Sequence, residues 1–120
     1  MQIQPIPPNS PSFGYSSPLK TLYKKGNLPI KKGFYGGDLT KKNVTLEHLL
    51  PRSQGGDTSL DNLVLATREN NNHRGDKPLK DFLNFHVLAN YLDQFRNIKL
   101  GNFDGNEYIK SIIKTIGAIL

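Results

Sequence analysis

The chain has 120 residues, enough for one domain with a single modest core and too few for two. A formal charge of +6 and a pI near 9.6 point towards a polyanionic partner, because Lys and Arg gain affinity by displacing phosphate counterions; a merely soluble basic surface is the plainer alternative. There is no cysteine, which excludes disulfides and thiolate metal sites, and no apolar run of the ~20 residues needed to span a bilayer.

Residues 1–17 are rich in Pro and Ser, and Pro5, Pro7, Pro8 and Pro11 interrupt anything resembling a secretory leader. They predict an extended arm, pinned by Phe13 and Tyr15 or used as a partner-binding tail. Ser17-Pro18 opens a two-turn helix that Gly26 ends, with Leu19, Leu22 and Tyr23 inward and Lys20, Lys24 and Lys25 outward. Lys31, Lys32, Lys41 and Lys42 add two basic pairs, which form either a positive shoulder for a nucleic-acid backbone or an ordinary solvated surface. Phe34 to Leu39 predicts a turn that packs Phe34 and Leu39 inward and carries no chemistry of its own.

Next comes the stretch VTLEHLLPRSQGGDTSLDNLVLATRENNNHRG, Val44 to Gly75. Apolar and polar residues alternate up to Glu47 and His48, a Pro- and Gly-marked loop follows, Asn62 opens a second short apolar run, and a polar segment stops at Gly75. Strand, loop, strand and short helix is the local prediction. Beyond it, Asp76-Lys77-Pro78 caps a longer helix predicted over about 78–97, where Leu79, Phe82, Leu83, His86, Ala89 and Phe95 fall near helical spacing and Leu88, Tyr91 and Leu92 widen the stripe. A last helix over about 106–118 carries Ile109, Ile112, Ile113 and Ile116, with Leu120 at its end. Its apolar face supplies either core or a homodimer interface.

The combination Glu47-His48-Leu-Leu-Pro-Arg-Ser-x-Gly-Gly, Asn62-Leu-x-Leu-Ala and Asn71-x-x-Arg74-Gly75, in order and with these spacings, resembles the HNH nucleases, the ββα-metal finger group. The resemblance implies an α+β fold in which a ββα-metal finger, about 43–75, is flanked by helices within a single nuclease domain, 18–120. Many members brace the finger with two Cys pairs around a structural zinc. With no zinc-binding cysteines, this chain is expected to hold its finger by packing alone.

The resemblance also implies a chemistry. Phosphodiester hydrolysis needs a base for water and a cation for the phosphate and the departing oxygen. Neighbouring strand residues face opposite sides. Glu47 therefore suits a metal ligand and His48 the general base, its imidazole being largely neutral near physiological pH. Asn71 is the second ligand, with His73 as its rival. Hard oxygens favour Mg²⁺, and an imidazole ligand would favour Mn²⁺ or a transition metal. Asn62 is expected to tie the loop that aims the base. Arg74, one helical turn after Asn71, is expected to clamp phosphate, with Arg52 as a second candidate and Lys41 and Lys42 as backbone contacts. DNA is the expected partner, RNA the alternative, and the cytoplasm of a bacterial or phage-infected cell the expected location. A catalytically silent nucleic-acid-binding or packaging module is the rival class. The lack of a His-Glu-x-x-His pair argues against a metalloprotease.

Overall fold

The computed structural model describes residues 18–120 and shows an α+β domain. The expected N-terminal arm, and Ser17 as a helix cap, lie outside the described residues. Helix α1 (Pro18–Lys24) buries Leu19 and Tyr23, one turn apart, and closes at Gly26, whose amide donates to the Tyr23 carbonyl at 3.0 Å. Strands β1 (Val44–His48) and β2 (Leu63–Thr67) pair antiparallel, Val44 opposite Thr67 and His48 opposite Leu63. Helix α2 (Arg68–Arg74) follows β2 without a loop, because the Thr67 side chain accepts from the Asn70 amide and caps the first turn.

All five residues of β2 are buried, so the two-stranded sheet needs cover on its far side. Helices α3 (Phe85–Asp93) and α4 (Gly105–Ile119), joined through a hairpin of β3 (Lys99–Leu100) and β4 (Phe103–Asp104), bring the tyrosines that engage its edge. Tyr108 donates its hydroxyl hydrogen to the Leu63 carbonyl at 2.8 Å, and Tyr91 accepts from the Leu65 amide at 2.9 Å. The two hydroxyls are 3.0 Å apart; since Tyr108 spends its hydrogen on Leu63, Tyr91 is the donor between them. Two side chains thus satisfy strand-edge groups that a third strand would otherwise take. Burial raises both phenol pKa values. Tyr91, Phe95, Phe103 and Tyr108 form one tilted aromatic cluster at the centre of the core.

The long helix expected over 78–97 is not continuous. A single 3₁₀ turn (Leu79–Asp81) comes first, and α3 starts afresh at Phe85 because the Asn84 side-chain Oδ1 accepts from the amides of His86 and Val87. The restart shifts the inward stripe to Leu88, Tyr91, Leu92 and Phe95, and leaves His86 and Ala89, both expected inward, exposed. In α4, Ile112 and Ile116 are buried, whereas Ile113 and Leu120, also placed on the apolar face by spacing, are more than half exposed. The hairpin between the two helices was not among the predicted elements. No helix among the described residues is long and apolar enough to cross a membrane.

Candidate active site

The finger is assembled from β1, the loop after it, β2 and α2. Helix α2 lies along β1 and meets it in two rungs. Asn71 Nδ2 donates to Thr45 Oγ1 at 2.9 Å and to the Leu46 carbonyl at 3.2 Å. One turn on, Arg74 Nη1 reaches Glu47 Oε2 at 3.2 Å and the His48 carbonyl at 3.0 Å. A step of two along the strand matches a step of three along the helix, as their repeats require. Glu47 and Asn71 are thereby brought to the same face of β1.

Glu47 is only 4 % exposed. Its Oε2 accepts from the Tyr35 hydroxyl at 2.6 Å as well as from Arg74. Burial pushes its pKa up, against the opposing pull of Tyr35, Arg74 and the His48 backbone amide. Burial likewise raises Tyr35, with the nearby Glu47 charge adding to the effect.

His48 points to the other side and is half-buried, its Nε2 lying 3.2 Å from Thr58 Oγ1. Burial and then the positive charge of Arg52 lower its pKa from the ordinary 6.5, and Asp57 pulls the other way. The imidazole is therefore biased towards the neutral form, which can accept a proton. Asn62, 5 % exposed, holds the loop beside it: its Oδ1 accepts from the Leu50 amide at 2.8 Å, and its Nδ2 donates to the carbonyls of Leu50 and Asp57 at 3.0 and 2.9 Å. Gly56 completes this loop. A Cβ there would stand 1.8 Å from the Leu50 oxygen, so the close approach that requires glycine is to the protein's own chain.

Arg74 departs from expectation. It is 1 % exposed, and its guanidinium serves Glu47, Tyr35, His48 and, through Nε, the Lys77 carbonyl. A side chain so enclosed does not face an external phosphate, and the expected clamp role gives way to a structural one. Arg52 stands on the 3₁₀ turn Arg52–Gln54, exposed, and close enough to His48 for its charge to be felt there. Lys41 and Lys42 are also exposed. His73 is exposed and sits edge-on against Phe82, with ring centroids 5.6 Å apart. Among the described residues no hydrogen bond or ion pair joins His73 to Glu47.

Tyr35 and Thr58 were missed in the sequence. The turn from Phe34 to Leu39 does bury both named residues, but it also delivers the Tyr35 hydroxyl to Glu47, so it is not chemically idle. The available signal was a phenol, with its polar tip, next to a buried aromatic. The same turn is fastened within the chain: Asn70 Nδ2 donates to the Gly36 carbonyl at 3.2 Å, and the Gly33 amide donates to the Gly37 carbonyl at 3.1 Å.

Two hard oxygens remain for a cation. Among the described residues, Glu47 Oε1 takes no side-chain hydrogen bond and Asn71 spends only its nitrogen, leaving its Oδ1 unengaged. This donor set fits a small divalent ion completed by water and phosphate oxygens. No group of three or more His, Asp or Glu side chains that could hold a metal is found among the described residues, at this site or away from it.

The result is a ββα finger with an acid and a histidine at the end of its first strand and an asparagine on its helix. Residues 35–78 match the model of the HNH endonuclease family, and the finger is an HNH-family domain. No curated protein and no solved structure matches the chain.

Proposed function

We propose that the protein is a metal-dependent endonuclease that hydrolyses DNA phosphodiester bonds. The observation that supports this most is the adjacency, on one strand end, of a half-buried, neutral-biased His48 and a Glu47 carboxylate sharing a face with Asn71. Glu47 Oε1 and Asn71 Oδ1 would hold a divalent cation, most readily Mg²⁺ or Mn²⁺. When bound, such a cation neutralises charge on the scissile phosphate and the departing oxygen.

His48 supplies the base. Its Nε2 already makes a hydrogen bond towards Thr58, the direction in which a water molecule would be held. The water oxygen forms the new bond to phosphorus, its proton passes to Nε2, the bond from phosphorus to the 3′ oxygen breaks and that oxygen takes up a proton from solvent, leaving 5′-phosphate and 3′-hydroxyl ends. Asn62 keeps the loop from Leu50 to Asp57 in place beside the imidazole. Arg52, with Lys41 and Lys42, contacts the DNA backbone. One finger holds one such centre, so one copy nicks one strand. Pairing of two copies across the α3–α4 face, where Phe85 and Ile113 are exposed, would cut both.

One observation favours a second reading. The Glu47 carboxylate is buried and already ion-paired with Arg74, as in a finger kept for binding alone. Relaxation of supercoiled plasmid by the purified protein, with Mg²⁺, Mn²⁺ or chelator and beside His48→Ala, decides between them. Metal-dependent open circles that vanish with chelator and with the substitution support the nuclease. A plasmid that is shifted in a gel yet uncut with every metal, alike for both proteins, supports the binding module.

A further inference from the structure

The Glu47 carboxylate is held asymmetrically. The Tyr35 hydroxyl at 2.6 Å and Arg74 Nη1 at 3.2 Å both meet Oε2, and these two donors are themselves 3.2 Å apart. Arg74 Nη1 is divided among Glu47, Tyr35 and the His48 carbonyl, so the phenol makes the shortest contact on the carboxylate. That phenol stands on a rigid knuckle: the Phe34 amide donates to the Leu65 carbonyl at 2.9 Å, and the Phe34 ring is buried edge-on against Tyr91. A carboxylate whose one oxygen is engaged by two donors has its plane fixed and offers a cation only the other oxygen.

We propose that Tyr35 is a positioning residue that makes Glu47 a single-oxygen ligand. The proposal rests on the reading of Glu47 as a metal ligand given above. Single-oxygen coordination suits the short, strictly octahedral shell of Mg²⁺ and its analogue Mn²⁺, whereas a carboxylate free to bind through both oxygens suits the larger, more tolerant Ca²⁺. Tyr35 therefore sets which divalent ion the finger prefers, acting through the Glu47 carboxylate.

The test is calorimetric titration of Mn²⁺ and of Ca²⁺ into the full chain, well below its unfolding temperature, for wild type, Tyr35→Phe, Tyr35→His and Glu47→Gln, each checked for native circular dichroism. Tyr35→Phe is expected to weaken Mn²⁺ binding by about tenfold or more, as loss of an orienting partner does elsewhere, and to move the Ca²⁺-to-Mn²⁺ preference towards Ca²⁺. Tyr35→His, which keeps a ring and an N–H donor, is expected to stay within about threefold of wild type. Should only the His variant fold, that threefold limit decides, and a tenfold loss overturns the proposal. Equal losses for Phe and His would assign the effect to ring packing and overturn it too. Glu47→Gln separates the two levels. If it loses Mn²⁺ while Tyr35→Phe binds within about twofold of wild type, the positioning role alone is wrong. If Glu47→Gln binds like wild type, the ligand reading fails and takes the positioning role with it.

Discussion

Arg74 Nη1 stands 3.2 Å from Glu47 Oε2 and 3.0 Å from the His48 carbonyl, so one guanidinium ties the acid and the histidine of the strand end to the helix facing them. Both charged partners are nearly out of water. Removing one leaves the other uncompensated, so Arg74→Ala should destabilise by about 3–5 kcal/mol, a large part of the stability of a domain this size. Urea denaturation measures it. Because the pair is buried, the loss should change little between low and high salt, and a strong salt dependence would place Arg74 at the surface.

Asn62 predicts a second loss. Its amide satisfies three backbone groups across the loop, and Asn62→Ala strands them at a cost of roughly 2–3 kcal/mol. Cleavage should fall by more than the unfolded fraction explains, because the loop carrying Thr58 is freed from beside His48. Rates measured in the cold, where the variant is fully folded, separate the two effects.

Gly56→Ala tests the same loop from its backbone. The new methyl would lie 1.8 Å from the Leu50 oxygen and 2.7 Å from its carbon, so the chain must move. A loss of about 1–3 kcal/mol is expected in thermal or urea unfolding, and a well-tolerated substitution would contradict the loop geometry.

The tyrosine pair predicts behaviour at high pH. Tyr91 and Tyr108 have pKa values raised by burial above the ordinary 10.0. Below pH 10 both phenols are protonated in folded and unfolded chains alike, and pH has no leverage through them. Above it the unfolded chain releases protons that the folded chain retains, so stability falls as pH rises, by about 1.4 kcal/mol per group per pH unit until the folded pKa is reached. Urea midpoints taken from neutral pH to about pH 11 should drop steeply. The double variant Tyr91→Phe, Tyr108→Phe should start lower and drop less.

Arg52→Ala should act on binding. The side chain is exposed and near His48, so the unfolding temperature should hold while DNA affinity falls and the slope of log affinity against log salt flattens by about one. A gel-shift series over salt concentration checks it. An unchanged slope would remove Arg52 from the DNA contact.

Much of the fold is local and was therefore legible. The alternation into Glu47 and His48, the glycine-marked loop, the apolar run after Asn62 and the polar turns up to Gly75 each follow from neighbours in sequence, and β1, β2 and α2 appear where these place them. The environment of Arg74 was not legible, since its partners Tyr35 and Glu47 lie 39 and 27 positions away and nothing near Arg74 announces them. The same holds for Tyr91 and Tyr108, whose hydroxyls serve a strand far back in the chain. The break at Asn84 is different. A capping residue was present, but the apolar periodicity ran straight through it, and a local cap outweighed the longer pattern.

The Asn70–Gly36 contact and the two tyrosine hydroxyls at the edge of β2 have a practical consequence for every assay of this finger. Among the described residues its scaffold is fastened by side-chain and backbone groups, so stripping divalent ions from the solution is expected to leave the fold standing. On the proposed reading, inhibition by a chelator then reports on the reaction itself, and returning the ion should restore turnover at once, with no lag for refolding.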